Sequence, residues 1–281
     1  MTPGKLYACS EAEYRGFPAA NYSTLKMGRE SALAMRYAID HPRESSDAME
    51  LGKVVEALVF GDATWAVAPD VDRRTKAGKA EWADFQAANV GKAIVDAETM
   101  GTAAIMSARI KANTDAARLT VGAKHRQVVA VWDEPTTGVR CKARIDAMQP
   151  GVCLTDLKTT RAALDPRAFG REIAAMGYHI QAAFYADGFQ ACTGIETPFT
   201  LVVVQNRAPF DCAVYRLDDA AIDAGRKWYR HLLGVWKHGH ATGEWPGVPA
   251  GISTLEVPAW EIAAADRAAW SPDLTDDAHP F

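Results

Sequence analysis

The chain has 281 residues, 48% hydrophobic and 23% charged, which allows one large domain or two small ones around a sizeable core. Its net charge of −4 is not that of a protein coating nucleic acid nonspecifically, although an acidic protein can still gather cations along one channel. No apolar run approaches the roughly 18 residues that span a bilayer, and the N-terminal MTPGKLYACSEAEYRGF lacks the apolar stretch of a secretory signal, so a cytosolic protein is expected.

Residues 1 to 20 show no clear period, carry Gly4, Gly16 and two prolines, and read as a flexible lead-in. From Asn21, NYSTLKMGRESALAMRYAID predicts one helix capped by Asn21 or Ser23, with Leu25, Leu33, Met35 and Tyr37 at helical spacing. Pro42 and the Glu44-Ser45-Ser46 cluster break it. A second helix is predicted over Asp47 to Phe60, where Leu51, Val54, Val55, Leu58 and Val59 form an apolar stripe. Glu56 falls inside that stripe, either on its polar seam or held in a site. Alanine-rich helices follow over Lys76 to Ala88 and Asp96 to Leu119. Ahead of them Arg73, Arg74, Lys76 and Lys79 crowd a polar stretch, which is either a solvated face or a basic loop that grips phosphates.

The period then changes to that of strands. HRQVVAVWDE, TGVRCKARIDAM and GVCLTDLKTT are β-rich runs separated by turn signals at Pro135 to Gly138 and Gln149 to Gly151, which predicts an antiparallel meander. Helical pattern returns from Pro166 to Ala191 with a break near Gly177. FTLVVVQNR then reads as a strand buried on both faces. FDCAVYRL follows as a strand and Asp218 to His238 as a helix. The tail from Gly243 is rich in Pro and Trp, and its end, PDLTDDAHPF, reads as acidic and mobile. The five cysteines, Cys9, Cys141, Cys153, Cys192 and Cys212, form no CxxC pair and fit reduced thiols packed as small hydrophobes.

The chemistry concentrates between Arg140 and Tyr185. Asp156 and Lys158 project from one face of a strand, Asp146 ends the preceding strand, and Gln181 and Tyr185 share one helix face. Hydrolysing a phosphodiester needs a cation at the phosphate, oxygen ligands for it and a positioned water. Asp146 and Asp156 offer two carboxylates from neighbouring strands, and Lys158 can orient the water and offset developing charge. The bland alternative is an Asp146 that caps a strand, an Asp156–Lys158 surface pair and ordinary helix positions. DxK alone is common, but a charged pair inside an apolar strand is costly unless compensated.

The order RID, TDLKTT, GYHIQAAFY resembles the PD-(D/E)xK nuclease superfamily, and within it the RecE-type exonucleases of phages and prophages. NYSTLKMGRESALAMRYAI resembles that branch's opening Ser-x-Leu helix, LGKVVEALVFGD its Gly-x-x-x-His helix, and EWPG its closing Trp-Pro-Gly. The likeness implies an α/β (α+β) restriction-endonuclease-like core, a mixed sheet of an antiparallel meander plus a buried strand, flanked by helices. It places a single nuclease domain at 21–247, with a helical part at 21–120 and a catalytic sheet core at 124–240, followed by a tail at 248–281. It also implies that Asp146 and Asp156 bind metal with the Leu157 carbonyl as a further ligand, that Lys158 is the catalytic lysine, and that Gln181 and Tyr185 brace the site.

One position departs from the pattern: Glu56 stands four residues after Gly52, where the RecE branch has histidine. Lambda-type exonucleases are similar in using a helix glutamate there, so Glu56 is the expected third ligand, and an all-oxygen site suits Mg2+, with Mn2+ able to substitute. Members of the branch degrade linear duplex DNA from 5′ ends, leave 3′ overhangs for a RecT-like annealing protein and form oligomeric rings. Arg161, Arg167 and Arg171, just past the DLK strand, are either phosphate contacts or ordinary surface arginines. A single-strand nuclease sharing DxK and QxxxY is the rival enzyme, but many of those carry a four-cysteine iron-sulfur cluster, which the cysteine spacing here does not supply. The rival outside enzymology is a DNA-end-binding module whose catalysis has decayed.

Overall fold

The computed structural model describes residues 1–42, 46–61 and 65–269. The chain opens with β1 (Lys5–Ala8) and α1 (Glu11–Gly16), followed by α2 (Tyr22–Leu25), a 3-10 turn over Lys26–Arg29 and α3 (Ala32–Asp40). Next come α4 (Asp47–Phe60), β2 (Trp65–Val67), α5 (Lys76–Ala88), β3 (Ala93–Val95), α6 (Ala97–Ala112) and α7 (Thr114–Leu119). The meander is β4 (His125–Asp133), β5 (Arg140–Gln149) and β6 (Cys153–Thr160). After it lie α8 (Pro166–Met176), α9 (Tyr178–Thr193), β7 (Phe199–Gln205), β8 (Cys212–Arg216), α10 (Asp219–Thr242) and α11 (Ala259–Ala269).

Six strands form one sheet in the order β1-β4-β5-β6-β7-β8. Every neighbour pair is antiparallel except β6–β7, which is parallel. A parallel pair needs a long crossover, and α8 and α9 supply it. Asp165 starts α8 by accepting from the Ala168 amide, with Pro166 fixing the first turn, and Gly177 ends it at φ 73°. β7 is buried along its whole length because it serves two cores. Val202 and Val204 pack in a cluster with Val54 and Val55 of α4 and Met106 and Ile110 of α6. Leu201 and Val203 pack with Phe169 of α8 and Phe189 of α9. The sheet is thus sandwiched between helical layers, an α/β fold with a mostly antiparallel centre.

Several expectations change. The lead-in at 1–20 contains β1, the edge strand paired to β4 with Lys5 opposite Val131, and α1, started by a reciprocal Ser10–Glu13 capping box. The single helix from Asn21 divides: Asn21 caps α2, Ser31 caps α3, and the 3-10 turn between them lets Gly28 approach Met35 and Leu232. Asp96 to Leu119 divides at Asn113, whose side chain caps α7 through the Ala116 amide at 3.1 Å. The helical part at 21–120 also holds a small parallel sheet of β2 and β3. Met1–Gly247 forms one compact unit and Val248–Phe281 a second, in which α11 is a helix of 11 residues. The acidic end, PDLTDDAHPF, lies outside the described residues. Among the described residues no helix is long and apolar enough to cross a membrane.

Candidate active site

The meander sets three polar residues in one cross-strand row. Arg126 pairs with Ala147 and Val128 with Ile145, so Gln127 faces Asp146. Ala147 pairs with Thr155, so the next step of that ladder would place Asp146 against Asp156. The β5–β6 ladder ends there, as expected where two carboxylates would be directly opposed. The Leu157 amide donates to Asp146 Oδ2 at 2.8 Å, so a side chain takes over the donor at the point where the strands part.

Asp156 is 3% exposed. Gln181 of α9 donates through Nε2 to its Oδ1 at 2.7 Å, and Lys158 Nζ meets its Oδ2 at 2.5 Å. Tyr185, one turn beyond Gln181, adjoins it and packs edge-on to Phe199 at 6.1 Å. The QxxxY pair therefore sits on the same side of the sheet as the DxK pair. Burial alone would lower the Lys158 pKa, but Asp156 and Asp146 outweigh it and hold the ammonium firmly protonated. Its Nζ also lies 5.2 Å above the Tyr178 ring. For Asp146, burial and then the charges of Asp156 and Glu56 push the carboxyl well above the usual carboxylate range.

Glu56 approaches the row from α4. Gln127 Nε2 donates to its Oε1, and Arg144 Nη2 stands 3.8 Å from the same oxygen. Arg144 Nη1 lies 3.7 Å from Glu11 of α1, so one guanidinium spans two carboxylates. Burial raises the Glu56 pKa, Arg144 and Gln127 oppose the rise, and Asp156 adds to it. Sequence reasoning missed both Gln127 and Arg144. Arg144 had a signal, because Arg140, Lys142, Arg144 and Asp146 alternate along one strand. Gln127 had none beyond being polar in an apolar run.

Beside this row opens a groove of about 2520 Å³ lined by α1, α3, β5 and α10, with Glu56, Asp146, Arg144 and Tyr185 on its wall. The seven basic residues singled out in the sequence as phosphate contacts or solvated surface lie outside its lining. Arg74 pairs with Asp72 at 3.0 Å, Arg73 lies over the Trp82 ring at 4.6 Å, and Lys76 begins α5. Arg161, Arg167 and Arg171 are exposed at and beyond the end of β6.

Residues 20–255 match the family described as PDDEXK-like domain of unknown function (DUF3799). The chain belongs to this PDDEXK-like family. Its membership places the chain within the PD-(D/E)xK nuclease superfamily. A crystal structure from Eubacterium rectale, described as a "Putative exonuclease", is similar in fold, with a TM-score of 0.63 at 14% identity over 92% of this chain and 99% of that one. No curated protein matches the chain.

PDDEXK-like nucleases generally use divalent metals. Among the described residues, no three His, Cys, Asp or Glu side chains converge closely enough to hold such an ion unaided. The donor set nevertheless fits a hard cation. Asp146 and Asp156 are opposed oxygen donors, Asp156 Oδ2 is met by the Lys158 ammonium, and Gln127 Oε1 is buried without a hydrogen-bond partner. Burial first, and then the charges of neighbouring carboxylates, raise Asp146 and Glu56, and a bound cation offsets both effects.

Proposed function

We propose that this PDDEXK-like protein is a Mg2+-dependent exodeoxyribonuclease that degrades linear double-stranded DNA from 5′ to 3′, leaving 3′ single-stranded overhangs. The observation that carries the reading is the clasp on Asp156: Lys158 on one oxygen and Gln181 on the other, beside Asp146 where the ladder opens. A divalent ion, Mg2+ or Mn2+, would neutralise the scissile phosphate and acidify the attacking water. Asp146, Asp156 and the Leu157 carbonyl would hold it, with Glu56 joining from α4.

Lys158 is a cation on this reading and not a base, because its neighbours keep it protonated. It orients the water and offsets charge developing on the phosphate. Gln181 fixes the rotamer of Asp156, Tyr185 braces Gln181, and the groove receives the strand. The structural relative described as a "Putative exonuclease" supports the same reaction class. On this reading the protein acts as a ring-shaped homo-oligomer whose product passes to an annealing protein, and sedimentation of the purified protein tests the assembly.

The activity is tested by incubating the protein with linear duplex DNA labelled separately at its 5′ and its 3′ termini and following acid-soluble nucleotides. Wild type with Mg2+ is expected to release the 5′ label first, and Lys158→Ala to lose at least about 100-fold in rate. Equal release by both proteins, or none by wild type with Mg2+ or Mn2+, overturns the reading. Release from heat-denatured DNA alone would make it a single-strand nuclease.

A further inference from the structure

Gln127 occupies the middle of an antiparallel strand with φ 52°, a left-handed conformation that costs a non-glycine residue on the order of 1 kcal/mol or more. The strain changes the sheet at one row only. Arg126 reaches the Phe60 carbonyl of α4 at 2.8 Å, whereas Val128, two residues on, packs in the cluster of Phe169 and Phe189. Across the pair, Ala147 packs with Val54 and Val55 of α4, while Ile145 packs in the α9 cluster. The two-residue alternation of a strand is thus broken at Gln127 and Asp146. The register on both sides stays the same.

What this break supplies is the link between α4 and the carboxylate row. Gln127 Nε2 holds Glu56 Oε1, and the other end of the same amide, Oε1, is buried with no partner. An unpaired buried amide oxygen costs about 1–3 kcal/mol, so the strand carries a strained backbone and an orphan acceptor at the same residue. Both stand beside Asp146, which accepts from the Leu157 amide, and Glu56, which Gln127 and Arg144 hold.

We propose that Gln127 is a positioning residue that sets Glu56 for metal binding and turns its own amide oxygen toward the bound ion or an ion-bound water. The proposal rests on the metal-dependent reading above. Its signature is a residue whose removal stabilises the fold and weakens the site. Glycine has no penalty at φ 52°, so Gln127→Gly removes the strain and the orphan together while deleting the link to Glu56.

The test uses the full chain without DNA. Mn2+ binding is titrated calorimetrically, and thermal unfolding is recorded in chelator, for wild type, Gln127→Gly, Gln127→Ala and Asp146→Asn. The expected result is Mn2+ affinity reduced about 10–100-fold in both Gln127 variants, with Gln127→Gly melting at or above the wild-type temperature. Wild-type affinity in both Gln127 variants, beside a loss in Asp146→Asn, overturns the role of Gln127 and leaves the nuclease reading standing. No Mn2+ binding by wild type overturns both. An affinity loss matched by a lower melting temperature in both variants makes Gln127 structural and overturns the proposal.

Discussion

Glu134 is 1% exposed, and its carboxylate is enclosed by its own hairpin. It accepts the Thr136 and Thr137 amides at 3.1 and 2.7 Å and the Thr137 hydroxyl at 2.8 Å. Arg230 of α10 reaches the other oxygen at 3.3 Å. One side chain thereby closes the β4–β5 turn and ties it to α10. Glu134→Ala leaves two amides without their acceptor and should cost about 2–3 kcal/mol, read from urea denaturation. Burial would raise the Glu134 pKa, but the Thr137 bonds, Thr136 and Arg230 prevail and hold it below the usual glutamate range. A depressed folded pKa gives stability that is complete above the unfolded glutamate pKa and lost as pH falls through the folded value. Between neutral and acid pH the wild type should therefore lose more stability than Glu134→Gln. Parallel losses in the two proteins would refute the assignment.

α9 carries Gln181 and Tyr185, so its seating on α10 decides how firmly Asp156 is held. Gly225 of α10 meets the backbone of α9 directly, and a Cβ there would run into the His179 carbonyl oxygen and press on Ala183. A carbonyl in a helix cannot rotate away as a side chain can. Gly225→Ala should cost about 1–3 kcal/mol in urea denaturation and lower nuclease turnover, although residue 225 does not touch the site. Unchanged stability would mean the two helices can part without loss. The frame that does this positioning was largely legible in the sequence. An apolar stripe marked α4, alanine-rich composition marked α5 and alternation marked β4 to β6, and the strand and helix periods put Asp156 with Lys158 and Gln181 with Tyr185 on shared faces. What stayed hidden depends on distant contacts. β1 has four residues and exists because β4 offers an edge, and β2 and β3 have three each. The split near Gly28 reflects Met35 and Leu232 packing over it, which no local pattern announces. Gln127 was hidden for another reason, since its part in the site follows from one dihedral angle that breaks the alternation sequence reasoning relies on.

At the scale of the whole molecule the charge balance reverses where substrate would lie. The chain carries −4 overall, yet seven lysine and arginine side chains and five carboxylates line the groove beside Asp146. Several of those cations already have work within the fold. Lys142 Nζ is held by the Tyr14 and Phe17 carbonyls, Arg29 binds the Ala174 and Ala175 carbonyls, and Arg15 pairs with Glu11. Lys53 stands three residues before Glu56 on α4 and on the groove wall, which makes it the cation best placed to meet a phosphate near the row. DNA binding measured in chelator, where no cleavage occurs, should weaken with salt, and Lys53→Ala should reduce the slope of log K against log salt by about 1. Arg167 is exposed on α8, away from the groove lining, and Arg167→Ala should leave that slope unchanged. The reverse result, a slope altered by Arg167 and not by Lys53, would move the DNA track from the groove to α8 and the end of β6.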